Sequence, residues 1–287
     1  MTDRPGAKTA VRVWELHGDA ARSRPDHLAT EEPLEIRVIA GGVRQTAAVT
    51  MRTPGHDFEL AAGFLHGEGV IAHAEDIARI TYCVDPDVDA AQQYNIVNVA
   101  LRRGVTPDLA PLERHFTMTS ACGVCGKASL EALQLRGLPP VVSALSVPAE
   151  VLYTLPGTLA RAQRVFQQTG GLHAAALFDT TGQLIALRED VGRHNALDKL
   201  IGWALLNGYL PLGERILLVS GRTSYEILQK SLAAGIPIVC AISAPSSLAV
   251  DLARQFGITL AGFLRDDRCN IYSGRQRVTV GAATAAG

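Results

Sequence analysis

Arg215-Ile-Leu-Leu-Val-Ser220, Tyr225 to Ala234, Ile236-Pro-Ile-Val-Cys-Ala-Ile242, Leu248 to Phe256 and Ile258 to Phe263 follow one another with only short Gly, Ser or Pro links. The first, third and fifth are apolar runs of strand length, whereas the second and fourth space their apolar residues at helical intervals. Such alternation predicts a mainly parallel sheet covered by helices. Working outward, helix Asn195 to Leu206 precedes this block. Two strands, Leu172 to Phe178 and Gln183 to Leu187, come earlier and are joined by the turn Asp179-Thr-Thr-Gly182. A helix over Leu159 to Gln168 leads into them. The expected fold class is α/β.

The first half reads differently. From Pro33 the period is two, with Leu34, Ile36 and Val38, then Ala47, Val49 and Met51, on either side of Gly41-Gly42, which predicts a hairpin. A helix should follow Pro54-Gly55 through Phe58, Leu60, Ala61 and Phe64, with strands near Ile80 to Cys83 and Tyr94 to Leu101. This is a smaller α+β unit. The expected divisions are a loose N-terminal arm over 1–30, with at most one edge strand at Val11 to Trp14, and the α+β unit over 31–118. A thiol-bearing loop, helix and linker occupy 119–150, a ligand-binding domain 151–275, and a flexible tail 276–287.

With 287 residues, 47% of them apolar, the chain can bury one large core or two modest ones. A net charge of −1 offers no general attraction to nucleic acid or anionic lipid, so an anionic ligand needs a local cluster. There is no apolar run of about 18 residues for a spanning helix, nor an apolar block of secretory type in the first thirty residues. A cytosolic protein with neither nucleic-acid nor membrane partners is expected. Five cysteines, an odd number, do not form a disulfide framework. Cys83, Cys240 and Cys269 lie in apolar or strand-like sequence and read as core residues.

Ligands of an open parallel sheet sit beyond the carboxyl ends of its strands. Ser220-Gly221-Arg222-Thr223-Ser224 offers amides, hydroxyls and a guanidinium at a helix start, a setting suited to phosphate. Ser243-Ala-Pro-Ser246-Ser247 repeats this without charge. Gly262-Phe263-Leu264-Arg265-Asp266-Asp267-Arg268 adds two arginines and a ring able to cover a planar base. Together they describe a crevice for a phosphate-bearing heterocycle; the alternative is helix N-caps and solvated arginines. Glu189-Asp190-Val-Gly192-Arg193-His194-Asn195-Ala-Leu-Asp198-Lys199 packs six ionisable groups into a strand-to-helix junction. There His194 is either a proton carrier or ligand contact, or part of an ordinary first helical turn.

Cys122-Gly-Val-Cys125 places two thiols where a loop enters the helical run Lys127 to Arg136, which closes at Gly137. A helix N-terminus and Lys127 would stabilise a thiolate there. A structural zinc site lacks a second Cys pair. A zinc deaminase finds partial support in His73-Ala-Glu75 upstream, but Ala121 stands where that signature has Pro and the halves are far apart. His73 to Asp76 also reads as an acidic first turn of a short helix, the reading we favour. Metal-free thiol chemistry remains, with one cysteine carrying sulfur as a persulfide and the other helping to position or release it. A dithiol oxidoreductase would use the same pair, although here it follows a long loop, Arg102 to Ser120.

Ser120-Ala-Cys122-Gly-Val-Cys125-Gly126, Thr169-Gly-Gly-Leu-His173-Ala-Ala, Glu189 to Lys199, Ser220-Gly-Arg222 with Glu226, and Ala244 to Val250 together resemble the formate dehydrogenase accessory sulfurtransferases, the FdhD/NarQ family. The likeness runs from about Glu32 to Ser273. It implies a carrier that accepts sulfur from a cysteine desulfurase as a Cys persulfide and passes it to molybdenum in bis(molybdopterin guanine dinucleotide), before formate dehydrogenase receives that cofactor. It further implies a cytidine-deaminase-like mixed sheet serving as a binding platform, and a homodimer. By position Cys122 matches the persulfide-forming cysteine and Cys125 its partner, while Phe263 to Arg268 matches the segment assigned to the guanine dinucleotide cofactor. Ser220, Arg222 and His194 join that site in this reading, and a GDP-like guanine nucleotide is a candidate mimic. Ser246 stands where the family more often has Thr, and His56 where an acid is usual.

Overall fold

A computed structural model of the chain describes residues 6–89, 92–109 and 137–280. Cys122, Cys125 and the helix expected after them lie outside the described residues. Residues 8–29 are not a loose arm. They form a hairpin of two ten-residue strands, β1 (Lys8–His17) and β2 (Ala20–Ala29), paired antiparallel along their whole length. Glu15 reaches across to Arg22 and Arg24. Charged residues at so many strand positions hide the alternation that marks a half-buried strand.

The next unit is a four-stranded sheet, β4-β3-β6-β5, built from β3 (Glu32–Ala40), β4 (Val43–Arg52), β5 (Ile77–Tyr82) and β6 (Ile96–Leu101). Helix α1 (Asp57–Gly67) covers one face. Leu34, Ile36, Val38, Val97 and Val99 meet Leu60, Ala61 and Leu65 there, as the period of two in the strands and the helical spacing after Pro54 require. His73 and Glu75 sit exposed at a 3₁₀ turn over Ala74–Asp76. The Asp76 carboxylate accepts hydrogen bonds from the Ala72 and His73 amides at 2.8 and 2.9 Å. That is an acidic capped turn.

The remaining elements are β7 (Val147–Pro148), α2 (Ala149–Ala162), α3 (Phe166–Thr169), β8 (His173–Phe178), β9 (Leu184–Asp190), α4 (Arg193–Leu206), β10 (Ile216–Val219), α5 (Tyr225–Ala233), β11 (Ile238–Ala241), α6 (Ser247–Gln255), β12 (Thr259–Arg265), β13 (Arg268–Ser273) and β14 (Val278–Thr279). A six-stranded sheet runs β13-β12-β11-β10-β8-β9. Only β10–β11 and β11–β12 are parallel; the other three pairings are antiparallel, so the sheet is mixed rather than mainly parallel. Strand-length apolar runs reveal strands but not their direction. Alternate residues feed two cores. Leu217, Val219, Val239 and Leu260 pack under α4, α5 and α6, while Ile216, Leu218, Ile238 and Ala261 pack against α2.

Two further expectations change. The helix placed over Leu159 to Gln168 is α2 followed by the separate α3; α2 runs through Pro156 because Leu152, Leu155 and Leu159, all fully buried, hold its inner face on the sheet. Residues 276–279 are anchored. Arg277 is buried and donates to the carbonyls of Ser143 (3.2 Å) and Gly257 (2.8 Å), and β14 pairs in parallel with β7. Cys83 and Cys240 are buried as expected, and Cys269 is partly buried. No helix among the described residues is long and apolar enough to cross a membrane.

The two sheets are joined through a crossing of α1 and α4. A Cβ on Gly63 would lie 1.9 Å from the Asp198 carbonyl oxygen, and one on Gly202 would lie 1.8 Å from that of Glu59, so the backbones touch. Beside the crossing, the fully buried Asp190 pairs with Lys199 at 2.6 Å and accepts from the amides of Thr53 (3.1 Å) and Gly192 (2.8 Å). Lys199 also donates to the Thr53 carbonyl at 2.8 Å. Asn195 donates to the Met51 carbonyl at 2.7 Å.

Gly202→Ala should therefore force the helices apart and destabilise the fold by about 1–3 kcal/mol or more, read as a lower midpoint in thermal or urea unfolding. Gly213→Ala, at a site with open space and no left-handed φ, is the control away from the crossing. Lys199→Met, which strands the Asp190 carboxylate in the junction, should cost about 3–5 kcal/mol by the same measurement.

Candidate functional site

Helices α4, α5 and α6 all begin at one edge of the six-stranded sheet. Their caps are Gly192, Ser224 and Ser246. The loops after β10 and β11 are strapped together: the Thr223 amide donates to the Ala244 carbonyl (3.2 Å) and the Ser246 amide to the Thr223 carbonyl (2.9 Å). Between them lies a recess of ≈ 270 Å³ lined by Arg193, Arg222, Thr223, Ser224, Ala244, Pro245 and Ser246. Thr223 is fully buried, and neither its Oγ1 nor the buried Arg193 Nε has a hydrogen-bond partner. An unmet buried polar group costs about 1–3 kcal/mol, so orphans of this kind mark a place where a ligand completes the bonding. Helix N-termini and two guanidiniums select an anion.

His194 stands at the rim. Its Nε2 lies 3.1 Å from Ser224 Oγ and 2.9 Å from Glu226 Oε2. Both partners share one ring nitrogen, so this is not a nucleophile–base–acid relay, which needs a partner on each nitrogen. The His194 hydrogen bond holds the Glu226 carboxyl down to about 2, against the opposing effect of burial. Behind this pair a second cavity of ≈ 260 Å³ opens between the two sheets. Glu68, Asp198 and Glu226 face it, with Lys230 as counter-charge, so it repels phosphate. Deeper in, His173 at the start of β8 sits beside Gly221. Burial first, then the charges of Arg193 and His194, push its imidazole below the usual histidine range.

The segment Phe263 to Arg268 is the hairpin joining β12 to β13. Arg265 pairs with Arg268 across the two-residue turn Asp266-Asp267, and Asp266 takes φ 38°. Phe263 takes φ 52° inside a bulge, a strained choice for a bulky residue that sites of function tolerate. Its amide donates to the Ser243 carbonyl at 3.2 Å, which ties the hairpin to the loop that also lines the anion recess. Phe263, Arg265, Arg268 and Asn270 border a recess of ≈ 410 Å³.

Of the residues singled out in the sequence, Arg222 lines the first recess, Phe263, Arg265 and Arg268 line the second, and His194 lies at the rim. The Ser220 hydroxyl accepts from the Ala174 amide at 2.9 Å and patches β10 to β8. Leu264 is fully buried in the core facing α2, and Asp266 and Asp267 are exposed at the turn. His73 and Glu75 belong to the capped turn of the first sheet, and no group of three or more His, Cys, Asp or Glu among the described residues is placed to hold a metal. Within Glu189 to Lys199, Glu189 caps α3 and Asp190, Asn195 and Lys199 fasten the sheets together. Arg193 and Thr223 stood within the quoted motifs without a role of their own. Their signal is an unmet bond, which only the folded chain shows.

Comparison with known proteins agrees with this architecture. Residues 29–279 match the family described as FdhD/NarQ. A sulfur carrier protein FdhD of Mycobacterium tuberculosis is 53% identical over 272 residues, covering 93% of this chain and 97% of the relative. The protein of that name from Streptomyces coelicolor is 51% identical over 279 residues (96% and 97%), and that of Sulfurisphaera tokodaii 44% over 268 residues (93% and 98%). A crystal structure assigned to a formate dehydrogenase accessory protein from Desulfotalea psychrophila superposes with TM-score 0.73 at 23% identity, over 95% of this chain and 100% of that one, and shows the same fold. The chain belongs to the FdhD/NarQ family.

Proposed function

We propose that this protein is a sulfur carrier for formate dehydrogenase maturation, and that the edge of its six-stranded sheet holds a guanine nucleotide arm of bis(molybdopterin guanine dinucleotide). The observation that carries the reading is the convergence of three helix N-termini on two orphan buried groups, Thr223 Oγ1 and Arg193 Nε. A phosphate supplies the acceptors that both groups lack. Phe263 borders the neighbouring recess and offers a face for a planar ring. In this reading the mixed sheet is a cytidine-deaminase-like platform that binds rather than hydrolyses.

Sulfur handling rests on the sequence. The Cys122 thiolate attacks the terminal sulfur of a donor's cysteine persulfide, the donor's S–S bond breaks, and the donor leaves as a thiolate. Cys125 positions or releases the cargo: its thiolate attacks the inner sulfur of the Cys122 persulfide, a Cys122–Cys125 disulfide forms and hydrosulfide leaves. The hydrosulfide replaces an oxygen ligand of the substrate molybdenum, that oxygen departing as water, and a dithiol reductant then restores the two thiols. A cysteine desulfurase is the donor, formate dehydrogenase receives the finished cofactor, and the carrier works in the cytoplasm as a homodimer. What supports this part is the naming of the relatives as sulfur carriers and the motif around Cys122.

Intact-mass analysis after incubation with a cysteine desulfurase and cysteine should show a one-sulfur adduct. It disappears in Cys122→Ala and persists in Cys83→Ala; an adduct that survives loss of Cys122 overturns the assignment. For the nucleotide site, calorimetry with GDP should give binding that Thr223→Val weakens about ten- to a hundredfold, the worth of one hydrogen bond to a charged group. Arg222→Ala should weaken it at least as much.

A further inference from the structure

His173 is half-buried and has no part in the bonding of the recess described above. A Cβ placed on Gly221 would lie 3.2 Å from His173 Nδ1 and 3.8 Å from Arg193 Cδ, so the imidazole and the arginine stem flank one point of backbone. That backbone leads directly into Arg222 and Thr223 of the anion recess. The charged groups around the ring come from two elements. Strand β9 brings Asp190, opposite His173 in the ladder, with its oxygens already bound by Lys199, Thr53, Gly192 and Asn195. Helix α4 brings Arg193 and His194, while Arg222, one residue beyond Gly221, lines the recess itself. Without a ligand the surroundings are cationic on balance. A diphosphate bridging Arg193 and Arg222 reverses that sign.

Resting on the nucleotide reading above, we infer that His173 is a conditional phosphate-binding residue: it takes up a proton as the diphosphate enters and releases it when the diphosphate leaves. Two guanidiniums supply constant positive charge, and His173 adds a third charge only in the complex. In the free protein, burial and Arg193 favour the neutral ring; in the complex the anion favours the charged one. The sign of the pH effect follows. Affinity rises as pH falls from above the bound-state pKa of His173 to its free-state pKa, and is level outside that window. Each unit between the two values is a tenfold change in affinity.

The test is an NMR titration of the histidine ring protons in the full-length protein, free and saturated with GDP, together with calorimetry at several pH values on the wild type and on His173→Gln. The expected result is an upward move of the His173 midpoint in the complex. The His173→Gln protein should bind GDP with a flatter pH dependence, the nucleotide's own titration setting the remaining slope. GDP binding with the His173 midpoint unmoved overturns the inference and leaves the nucleotide site standing. Failure of folded wild-type protein to bind GDP overturns the nucleotide reading itself. If His173→Gln fails to fold, the wild-type titration decides alone.

Discussion

The contact between α1 and α4 at Gly63 and Gly202 governs everything built around it. Two helices from different halves of the chain meet with carbonyl oxygens where side chains would normally stand, so neither can slide along the other without collision. Their closeness lets Asp190, Lys199 and Asn195 bond directly to backbone groups of Met51 and Thr53 in the other half. Without the glycines those polar groups would lie too far apart to satisfy one another, and a buried carboxylate and ammonium left unpaired would be very costly. The two sheets form one body because this junction is both tight and fully bonded.

Fixing α4 also fixes where it starts. Arg193 is its first residue, and the Gly192 amide just before it is held by Asp190. The same helix therefore serves the junction with one part of its length and the anion recess with its end. Helices α5 and α6 reach the same edge because β10, β11 and β12 are parallel neighbours, which forces each following helix to begin on the same side. Convergence of the three N-termini follows from strand order plus one locked helix. It needs no dedicated loop architecture.

The alternation between Arg215 and Phe263 was readable because each strand is apolar on both faces, Ile216 and Leu218 to one core, Leu217 and Val219 to the other. Strand direction was not readable, and so β8 was not seen to run against both of its neighbours, β10 and β9. β13 escaped notice because Arg268-Cys-Asn-Ile-Tyr-Ser273 lies on an edge, with polar and half-exposed residues. The hairpin at the start was hidden by charges on both faces. Arg222 and the Phe263 hairpin, picked out by residue type, line the two recesses. The Ser220 hydroxyl accepts from the Ala174 amide, a use that its residue type did not reveal. The dense block Glu189 to Lys199 looked like chemistry and is largely a fastener, because sequence shows how many charges are present but not which way they face.

Why the fastener is polar can be argued from its geometry. Replacing a buried ion pair with apolar side chains of similar volume is often neutral or stabilising, so stability alone does not account for Asp190 and Lys199. Apolar packing at a glycine crossing would permit small rotations of α4, since hydrophobic contact has no preferred direction. Asp190 instead receives hydrogen bonds from Thr53, Gly192 and Asn195 as well as Lys199, each along its own line. Those lines fix the roll of the first turn, and with it the direction in which Arg193 leaves the helix. If one buried guanidinium nitrogen and one buried hydroxyl are to meet the same anion, as proposed, the recess tolerates little rotation. The directional junction provides that restraint at the start of α4.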